Sequence, residues 1–233
     1  MYNNFEQVNG FKVYGFDSRK KLIDLIKINP KILIAINAEK IYAGNKELQQ
    51  ISQIGIGYPD GIGAVMALRK KGITNVIRIP GSELWLDIIA DLDQNDSIYL
   101  IGSTQEVIEA TVQKLKKEYP NLSIAGYRNG FLKECDIINL EKDIKKSKPT
   151  YVFVAQGSPR QERLIRRLHY VYDATYMGLG GSFDVYTGKV KRAPKWIREN
   201  GMEWLYRLIM QPSRIKRQMV IFPFLYYIYT NKY

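Results

Sequence analysis

Short apolar runs alternate along this chain with segments whose apolar residues recur every three or four positions. Continuous runs such as Lys31–Ile36 and Tyr151–Ala155 are typical of strands buried on both faces of a parallel sheet. Segments such as Ile62–Lys71 and Thr104–Glu118 have the helical period instead. The alternation predicts right-handed β–α–β units, and therefore an α/β fold with a Rossmann-like, mainly parallel sheet and helices on both faces.

The same pattern predicts seven strands, and four polar residues are placed to cap the helices that follow them. The strands are predicted at Phe11–Phe16, Lys31–Ile36, Ile54–Tyr58, Ser97–Ile101, Leu122–Ala125, Tyr151–Ala155 and Ala174–Met177. The helices include one after Ser18, Ile62–Lys71, Glu83–Leu92, Thr104–Glu118, Leu140–Lys146 and one from Arg160. The capping candidates are Ser18, Asn37, Ser82 and Ser158. Because ligands of such sheets bind at the carboxyl ends of the strands, residues just after each strand are the first candidates for a site.

Composition narrows the class of protein. The 233 residues are 45% apolar, enough for a sizeable core, and the single cysteine, Cys135, excludes an internal disulfide and fits a reducing compartment. The first residues are polar, so no signal peptide is expected, and the apolar run Met219–Tyr229 is too short to span a bilayer. The formal net charge of +12 favours an anionic partner. These features predict a cytoplasmic protein that lies on a membrane if it meets one.

Most of the unbalanced charge lies near the C-terminus. Residues 188–218 hold nine Lys or Arg against two Glu, interleaved with Trp196, Trp204 and other apolar residues. Such a segment suits an anionic, apolar partner, either a phospholipid surface or a lipid-linked phosphate. Alternatively, the segment binds no such partner and is a surface helix. Its apolar residues would then pack on the protein core, and its charged residues would only be solvated. We therefore divide the chain into a core, 1–194, and a cationic amphipathic appendage, 195–233.

Several strand-end residues have the chemistry for catalysis or ligand binding. Asp60, in a tight turn, could act as a general base toward a hydroxyl or could be only a turn residue. Glycines at 178, 180 and 181 let backbone amides approach a phosphate or sugar, with Asp184 just beyond them. The spacing is neither G-x-G-x-x-G nor a P-loop, which argues against NAD and ATP. Gln161 would point from a first helical turn toward the ligand.

Other residue types argue against a metal site. Asp91-Leu92-Asp93 resembles a D-x-D metal motif, but it follows a helix and is interpreted as a solvated turn. The only histidine, His169, is interpreted as packed or at the surface. Diphosphate would instead be bound by arginines, whose guanidinium fork is bidentate and always charged. We expect no metal and no cofactor.

Six stretches together resemble the WecG/TagA/CpsF family of bacterial glycosyltransferases, from about Phe11 to Gln218. They are INAEK at Ile36, PDGIGAV at Pro59, RIPGSELW at Arg78, GSPRQE at Gly157, GGSFDVYTGKVKRAPK at Gly180 and EWLYRLIMQPSRIKRQ at Glu203. INAEK, YMGLGG and QPSRIKRQ are most similar to the enterobacterial WecG branch. That branch moves N-acetylmannosaminuronic acid from its UDP donor to undecaprenyl-diphosphate-linked GlcNAc, in the synthesis of enterobacterial common antigen lipid II.

The resemblance implies a metal-independent, inverting reaction and assigns roles to residues of this chain. Asp60 would be the base, Arg78 and Gln161 would hold the acceptor and the developing charge, and Asn37 would line the same pocket. The substrate-binding residues it implies are completed by Gly180, Gly181, Asp184 and Phe131. The leaving UDP would be steadied by Arg207, Arg214 and Arg217, and the appendage would dock on the anionic membrane that holds the polyprenyl-diphosphate acceptor.

One departure concerns the donor sugar. TagA-like members have Thr two residues before the motif Asn, where this chain has Ala35, so a UDP-ManNAc donor is less strongly implied. Other readings of the sequence are a nicotinamide oxidoreductase, a purely structural peripheral membrane protein and a nucleic-acid-binding protein. We expect no nucleic-acid partner, because no such motif is present and the cations lie beside apolar residues. The sequence leaves open whether the chain forms a homo-oligomer.

Overall fold

The computed structural model describes residues 4–29, 31–191, 193–194, 196–197, 206 and 219–230. Strands and helices alternate along these ranges. The strands are β1 (Phe5–Val8), β2 (Phe11–Tyr14), β3 (Ile32–Ile36), β4 (Ile56–Pro59), β5 (Ser97–Gly102), β6 (Ser123–Arg128), β7 (Tyr151–Ala155) and β8 (Thr175–Gly178). The helices are α1 (Arg19–Ile28), α2 (Ala38–Ala43), α3 (Lys46–Ile54), α4 (Ile62–Lys70), α5 (Gly81–Ala90), α6 (Gln105–Glu118), α7 (Glu134–Ser147), α8 (Arg160–Val171), α9 (Ser182–Tyr186) and α10 (Ile221–Tyr229).

The eight strands form one sheet in the order β1-β2-β4-β3-β8-β7-β5-β6. β1 and β2 are antiparallel, whereas the β2–β4, β3–β8, β8–β7, β7–β5 and β5–β6 pairs are parallel. Crossover helices connect the parallel strands, as the alternating sequence pattern requires. The predicted α/β fold with a mainly parallel sheet is confirmed.

Two compact units divide the chain. The first comprises Met1–Arg19, Ala35–Pro80 and Lys191–Tyr233, and the second comprises Lys20–Ile34 and Gly81–Val190. The predicted division into 1–194 and 195–233 stays a prediction, but α10 lies in the first unit, in contact with α2. Within the described ranges, no helix combines the length and the apolar character needed to cross a bilayer.

The first unit begins with a hairpin that the sequence analysis missed. Asn9 and Gly10 both have positive φ, 45° and 75°, as a two-residue hairpin turn with the right-handed strand twist requires. The turn pairs β1 with β2, and Val8, Phe11 and Val13 are fully buried beneath them. An Asn-Gly pair between apolar alternations predicts such a turn, so the signal was present in the sequence.

The core of the second unit is aromatic. The Trp85 ring on α5 packs edge-on against the rings of Phe153, Phe183 and Tyr186, with centroids 5.9, 5.7 and 5.1 Å away. Trp85 is fully buried, and such edge-to-face pairs each add about 0.5–1.5 kcal/mol beyond the area they bury. The cluster fixes α5 and α9 against β7, and α9 carries Asp184.

Some predicted boundaries were wrong. α5 begins at Gly81, so Ser82 lies inside its first turn, and α8 begins after Pro159 without a side-chain cap from Ser158. α7 runs over Glu134–Ser147 instead of 140–146 because the Asp136 carboxylate accepts from the Lys133 amide, 3.0 Å away, and starts the helix earlier. β6 continues past the predicted end at Ala125 to Arg128, and α3 was not predicted.

Candidate functional site

In the first unit, the loops after β3 and β4 lie side by side. The Asp60 amide donates to the Ile36 carbonyl, 3.0 Å away, and a Cβ on Gly61 would be 3.5 Å from the Asn37 Cβ. Both loops therefore present their polar residues at the carboxyl ends of adjacent strands. Asp60 and Asn37, both half-buried, therefore follow neighbouring strand ends, and their joint role in a site stays a prediction.

Asn37 also has a structural role. Its Oδ1 accepts from the Lys40 amide, 2.9 Å away, which caps α2 as predicted. An N-cap of this kind is typically worth about 1 kcal/mol. The Asn37 side chain is therefore held in one orientation by the protein itself, beside the turn that carries Asp60.

Arg78 is placed next to the same turn by its neighbours in the chain. The Ile79 amide donates to the Pro59 carbonyl, 2.8 Å away, and the Ile77 amide donates to the Phe16 carbonyl, 2.9 Å away. These two bonds anchor the segment on both sides of Arg78. Arg78, Asp60 and Asn37 therefore belong to one group of loops, which we call the Asp60 cluster.

The sequence analysis missed Lys40, a buried cation of this cluster. Its side chain reaches back across the first turn of α2, and its Nζ donates to the Ala35 carbonyl, 2.9 Å away. An ammonium on a strand-end carbonyl offsets part of the cost of burying the charge. The only signal in the sequence is a lysine three residues after a capping asparagine, which by itself is typical of a solvated helix.

In the second unit, Gln161 supports the glycine-rich loop after β8. Gln161 is only 5% exposed, and its Oε1 accepts from the Gly180 amide, 2.8 Å away. A Cβ on Gly178 would lie 2.4 Å from the Gln161 Nε2, so this close approach requires glycine. The amide that the sequence analysis directed toward ligand is thus buried against the loop, and its contact with substrate stays a prediction.

The loop itself leaves its outer face open. Gly180 has φ 59°, and a Cβ on either Gly180 or Gly181 would meet no atom within 4 Å. The backbone there is therefore open to approach from outside, and its contact with a ligand stays a prediction. α9 starts immediately after it and carries Asp184, which is half-buried.

Asp184 is bonded to a residue that the sequence analysis did not single out. The Ser103 hydroxyl lies 3.2 Å from one Asp184 carboxylate oxygen and 3.1 Å from the other. Ser103 follows β5 and has φ 53°, a left-handed conformation that costs a non-glycine residue about 1–2 kcal/mol. In the sequence, the Gly102-Ser103 pair at a strand end predicts a tight turn, but it does not indicate that Ser103 would bond to Asp184.

The same serine anchors the loop that carries Phe131. The Gly130 amide donates to the Ser103 carbonyl, 2.8 Å away, and the Gln156 amide group donates to the Gly130 carbonyl, 2.7 Å away. Phe131 follows with 76% of its surface exposed, an unusual exposure for an aromatic ring. The strand-end loops of β5, β6 and β7 are thus joined, and we call the group Ser103, Phe131, Gln161, Gly180, Gly181 and Asp184 the Ser103 cluster.

Three predicted site residues, Arg207, Arg214 and Arg217, lie outside the described residues. The Asp91 motif is described, and its carboxylate pairs with the ammonium groups of Lys20 and Lys27, each 2.9 Å away. Hydrogen bonds from these lysines lower the pKa of Asp91. Among the residues that the structure describes, no group of three or more His, Cys, Asp or Glu side chains is arranged to hold a metal ion.

Comparison with known protein families identifies the family to which the chain belongs. The model of the glycosyl transferase WecG/TagA/CpsF family matches residues 10–233, which include both clusters and α10. The match covers nearly the whole chain, so it takes in every strand from β2 onward. The chain belongs to the WecG/TagA/CpsF family of glycosyl transferases.

Proposed function

We propose that the protein transfers N-acetylmannosaminuronic acid from a UDP donor to undecaprenyl-diphosphate-linked GlcNAc, which would form enterobacterial common antigen lipid II. Family membership supports glycosyl transfer, and the INAEK, YMGLGG and QPSRIKRQ stretches favour this branch. The alternative within the same reaction class is UDP-ManNAc or another UDP-hexose, used for teichoic acid or capsular polysaccharide. Ala35, where TagA-like members have Thr, favours the first donor over UDP-ManNAc.

The observation that carries the proposal is the position of Asp60. Its carboxylate stands at the carboxyl end of a parallel strand, half-buried, in a turn fixed by the Ile36 carbonyl and beside the capped Asn37. In the proposed reaction it removes the proton from the acceptor hydroxyl as that oxygen attacks the anomeric carbon. The bond from the anomeric carbon to the UDP oxygen breaks, and the configuration inverts. General base catalysis of this kind contributes about 10²–10⁴-fold in rate.

The leaving diphosphate needs positive charge on the other side of the reacting carbon. We assign this role to Arg207, Arg214 and Arg217, because arginine remains charged and binds phosphate oxygens in pairs. A donor to the developing charge contributes about 3–4 kcal/mol to catalysis. Arg78, fixed beside Asp60, is assigned to the acceptor. The reaction is proposed to proceed without a metal ion.

The Ser103 cluster is proposed to bind the nucleotide. The open backbone at Gly180 and Gly181 accommodates a phosphate or sugar, and the Asp184 carboxylate accepts from ribose hydroxyls or from the base. Gln161 acts by holding the Gly180 amide, so we assign it to positioning. The exposed Phe131 ring offers an apolar face to the substrate.

The C-terminal appendage is proposed to bind the inner face of the cytoplasmic membrane. On α10, Phe224 and Ile228 are buried whereas Phe222, Tyr226 and Tyr229 are 63%, 64% and 85% exposed. Exposed aromatic rings beside a cationic segment suit the boundary between lipid headgroups and acyl chains. The net charge of +12 adds attraction to anionic lipid.

The test is to give the purified protein a panel of UDP-sugars with undecaprenyl-diphosphate-linked GlcNAc in vesicles and to measure the mass of the lipid product. We expect the mass of one N-acetylmannosaminuronic acid to be added. Addition of N-acetylmannosamine would select the alternative donor. No lipid product with any UDP-sugar would contradict the proposed reaction class.

A further inference from the structure

Ser103 joins three segments at the carboxyl ends of the strands in the second unit. Its amide donates to the Ala155 carbonyl at the end of β7, 3.0 Å away, and its carbonyl accepts from the Gly130 amide after β6, 2.8 Å away. Its hydroxyl reaches the Asp184 carboxylate on α9. One residue thus connects two strand ends with the acidic residue of α9.

The geometry requires the left-handed conformation. With φ at 53°, Ser103 directs its amide and carbonyl to different strand ends while its hydroxyl faces α9. The preceding Gly102 has φ 144° and has no room for a side chain, because a Cβ there would lie 2.3 Å from the Ala155 carbonyl oxygen. A non-glycine residue in this conformation is uncommon, and such outliers cluster at ligand-binding sites.

The hydroxyl contact defines the orientation of the carboxylate. Distances of 3.1 and 3.2 Å to the two oxygens place the single hydroxyl hydrogen between them. The carboxylate is held from the Ser103 side, and its remaining lone pairs are directed away from Ser103. A carboxylate fixed in this way accepts from two neighbouring hydroxyl groups, as the vicinal diol of a ribose presents them.

We propose that Ser103 is a positioning residue for the nucleoside part of the donor, and that it acts by orienting the Asp184 carboxylate toward the ribose. This inference rests on the proposed function, in which Asp184 binds the nucleotide. Ser103 does not contact the reacting carbon in this account, so its loss affects donor affinity and leaves the chemical step unchanged.

The test uses UDP itself as the probe, titrated calorimetrically into the full-length protein. Ser103→Gly removes the hydroxyl while glycine adopts the positive φ without strain. We expect the Kd for UDP and the KM for the donor to rise about tenfold, the usual effect of losing a hydrogen bond to a charged group. The kcat at saturating donor should change less than about twofold, because Ser103 would stabilise the bound donor and the transition state equally.

Two further variants separate positioning from a structural role. Ser103→Asn supplies an amide donor and tolerates positive φ, so we expect it to recover part of the UDP affinity. Ser147→Ala removes a hydroxyl that donates to the Asp143 carbonyl within α7, away from the Ser103 cluster in the sequence, and it should bind UDP like the wild type. A melting temperature that falls in Ser103→Gly while the Kd for UDP stays within twofold of wild type would overturn the inference.

The outcomes also distinguish this inference from the function on which it rests. If Asp184→Asn weakens UDP binding and Ser103→Gly does not, the nucleotide contact survives and the positioning role of Ser103 is wrong. If the wild-type protein does not bind UDP, both the inference and the proposed UDP donor are wrong. If Asp184→Asn and Ser103→Gly both weaken UDP binding, and Ser103→Asn recovers part of it, the result supports the nucleotide contact of Asp184 and the positioning role of Ser103.

Discussion

Polar side chains at the strand ends bond to the protein as well as facing candidate ligands. Asn37 caps α2, Gln161 holds the Gly180 amide, and Ser103 bonds to Asp184. Each of these bonds leaves the side chain with one orientation, which lowers the entropy lost when a substrate binds. At the scale of single residues, the candidate sites are therefore organised before any ligand arrives.

The pKa of His169 can be measured directly, because this residue is the one histidine in the sequence. Burial beside the Tyr176 ring lowers the pKa of His169 below its usual value of 6.5, and the neighbouring Asp173 carboxylate only partly opposes this. Because the sequence has one histidine, its imidazole signals in an NMR titration belong to His169 alone. We expect a midpoint below 6.5 in the folded protein and near about 6.5 in urea.

The sign of the effect on stability follows from that shift. Between the folded and unfolded pKa values the unfolded chain binds more protons, so the free energy of unfolding rises with pH. The contribution of His169 is thus fully present above pH 6.5 and is lost as the pH falls through the lower, folded pKa. In His169→Gln, the free energy of unfolding should depend less on pH in the range just below pH 6.5. A midpoint at or above that of the unfolded chain would show that burial does not control the titration.

The sequence predicted some of these residues and missed others for a physical reason. The Asn37 cap follows from a local pattern, since cap and helix are adjacent in the chain. The burial of Gln161 depends on Gly180, which is 19 residues away and follows another strand. The Ser103–Asp184 bond spans 81 residues. Local patterns do not contain such pairings, which arise only when the strands assemble.

At the scale of elements, the strands were predicted best because buried parallel strands are continuous apolar runs. Helix starts were predicted less well, because capping residue types do not fix the first turn to a single residue: α5 begins at Gly81, before the predicted cap Ser82. α10 was predicted only as part of a membrane-binding appendage. Its inner face packs on α2 and near Gly63 of α4, so the helix is also part of the first unit, and its membrane role stays a prediction.

Two phenylalanines on α10 test this packing. Phe224 is 1% exposed, whereas Phe222 is mostly exposed. Truncating a buried phenylalanine typically costs about 3–5 kcal/mol, whereas an exposed substitution stays within about 0.5 kcal/mol. In the absence of vesicles, we expect Phe224→Ala to accelerate amide hydrogen exchange across α10 strongly and Phe222→Ala to leave it nearly unchanged. Equal exchange in the two variants would show that α10 does not depend on Phe224.

Gly63 offers an independent test of the same contact. A Cβ there would lie 2.8 Å from Phe224 Cε1 and 3.0 Å from the Ala38 Cβ. Alanine normally stabilises a helix by about 1 kcal/mol relative to glycine, but overpacking costs about 1–3 kcal/mol. We expect Gly63→Ala to lower the free energy of unfolding in urea titrations, and to lower it less in a Phe224→Ala background. The same loss in both backgrounds would place the clash elsewhere.

At the scale of the whole molecule, charge and exposed aromatic residues argue for a membrane partner. The net charge is +12, and an exposed aromatic face lies on α10. Attraction between exposed charges and anionic lipid weakens as salt shortens the Debye length from about 14 Å at 50 mM to about 4 Å at 500 mM. Membrane binding stays a prediction, and it rests on composition, which can be read from the sequence without tertiary contacts.

Vesicle sedimentation measures the predicted salt dependence. We expect most of the protein to sediment with phosphatidylglycerol vesicles at low salt, and binding to fall about tenfold or more at high salt. Phosphatidylcholine vesicles of the same size are the control and should bind weakly at both concentrations. Salt-independent binding to both lipids would indicate that apolar insertion, and not charge, controls the association.

We propose that Asp60 acts as the base in transfer of a sugar from UDP to a lipid-linked acceptor. UDP release by wild type and Asp60→Asn, with and without undecaprenyl-diphosphate-linked GlcNAc, tests this role together with the donor KM. We expect acceptor-dependent release by the wild type. In Asp60→Asn we expect a kcat lower by about 10²–10⁴-fold with a donor KM within about threefold. Near-normal turnover of Asp60→Asn at neutral pH would rule out Asp60 as the base.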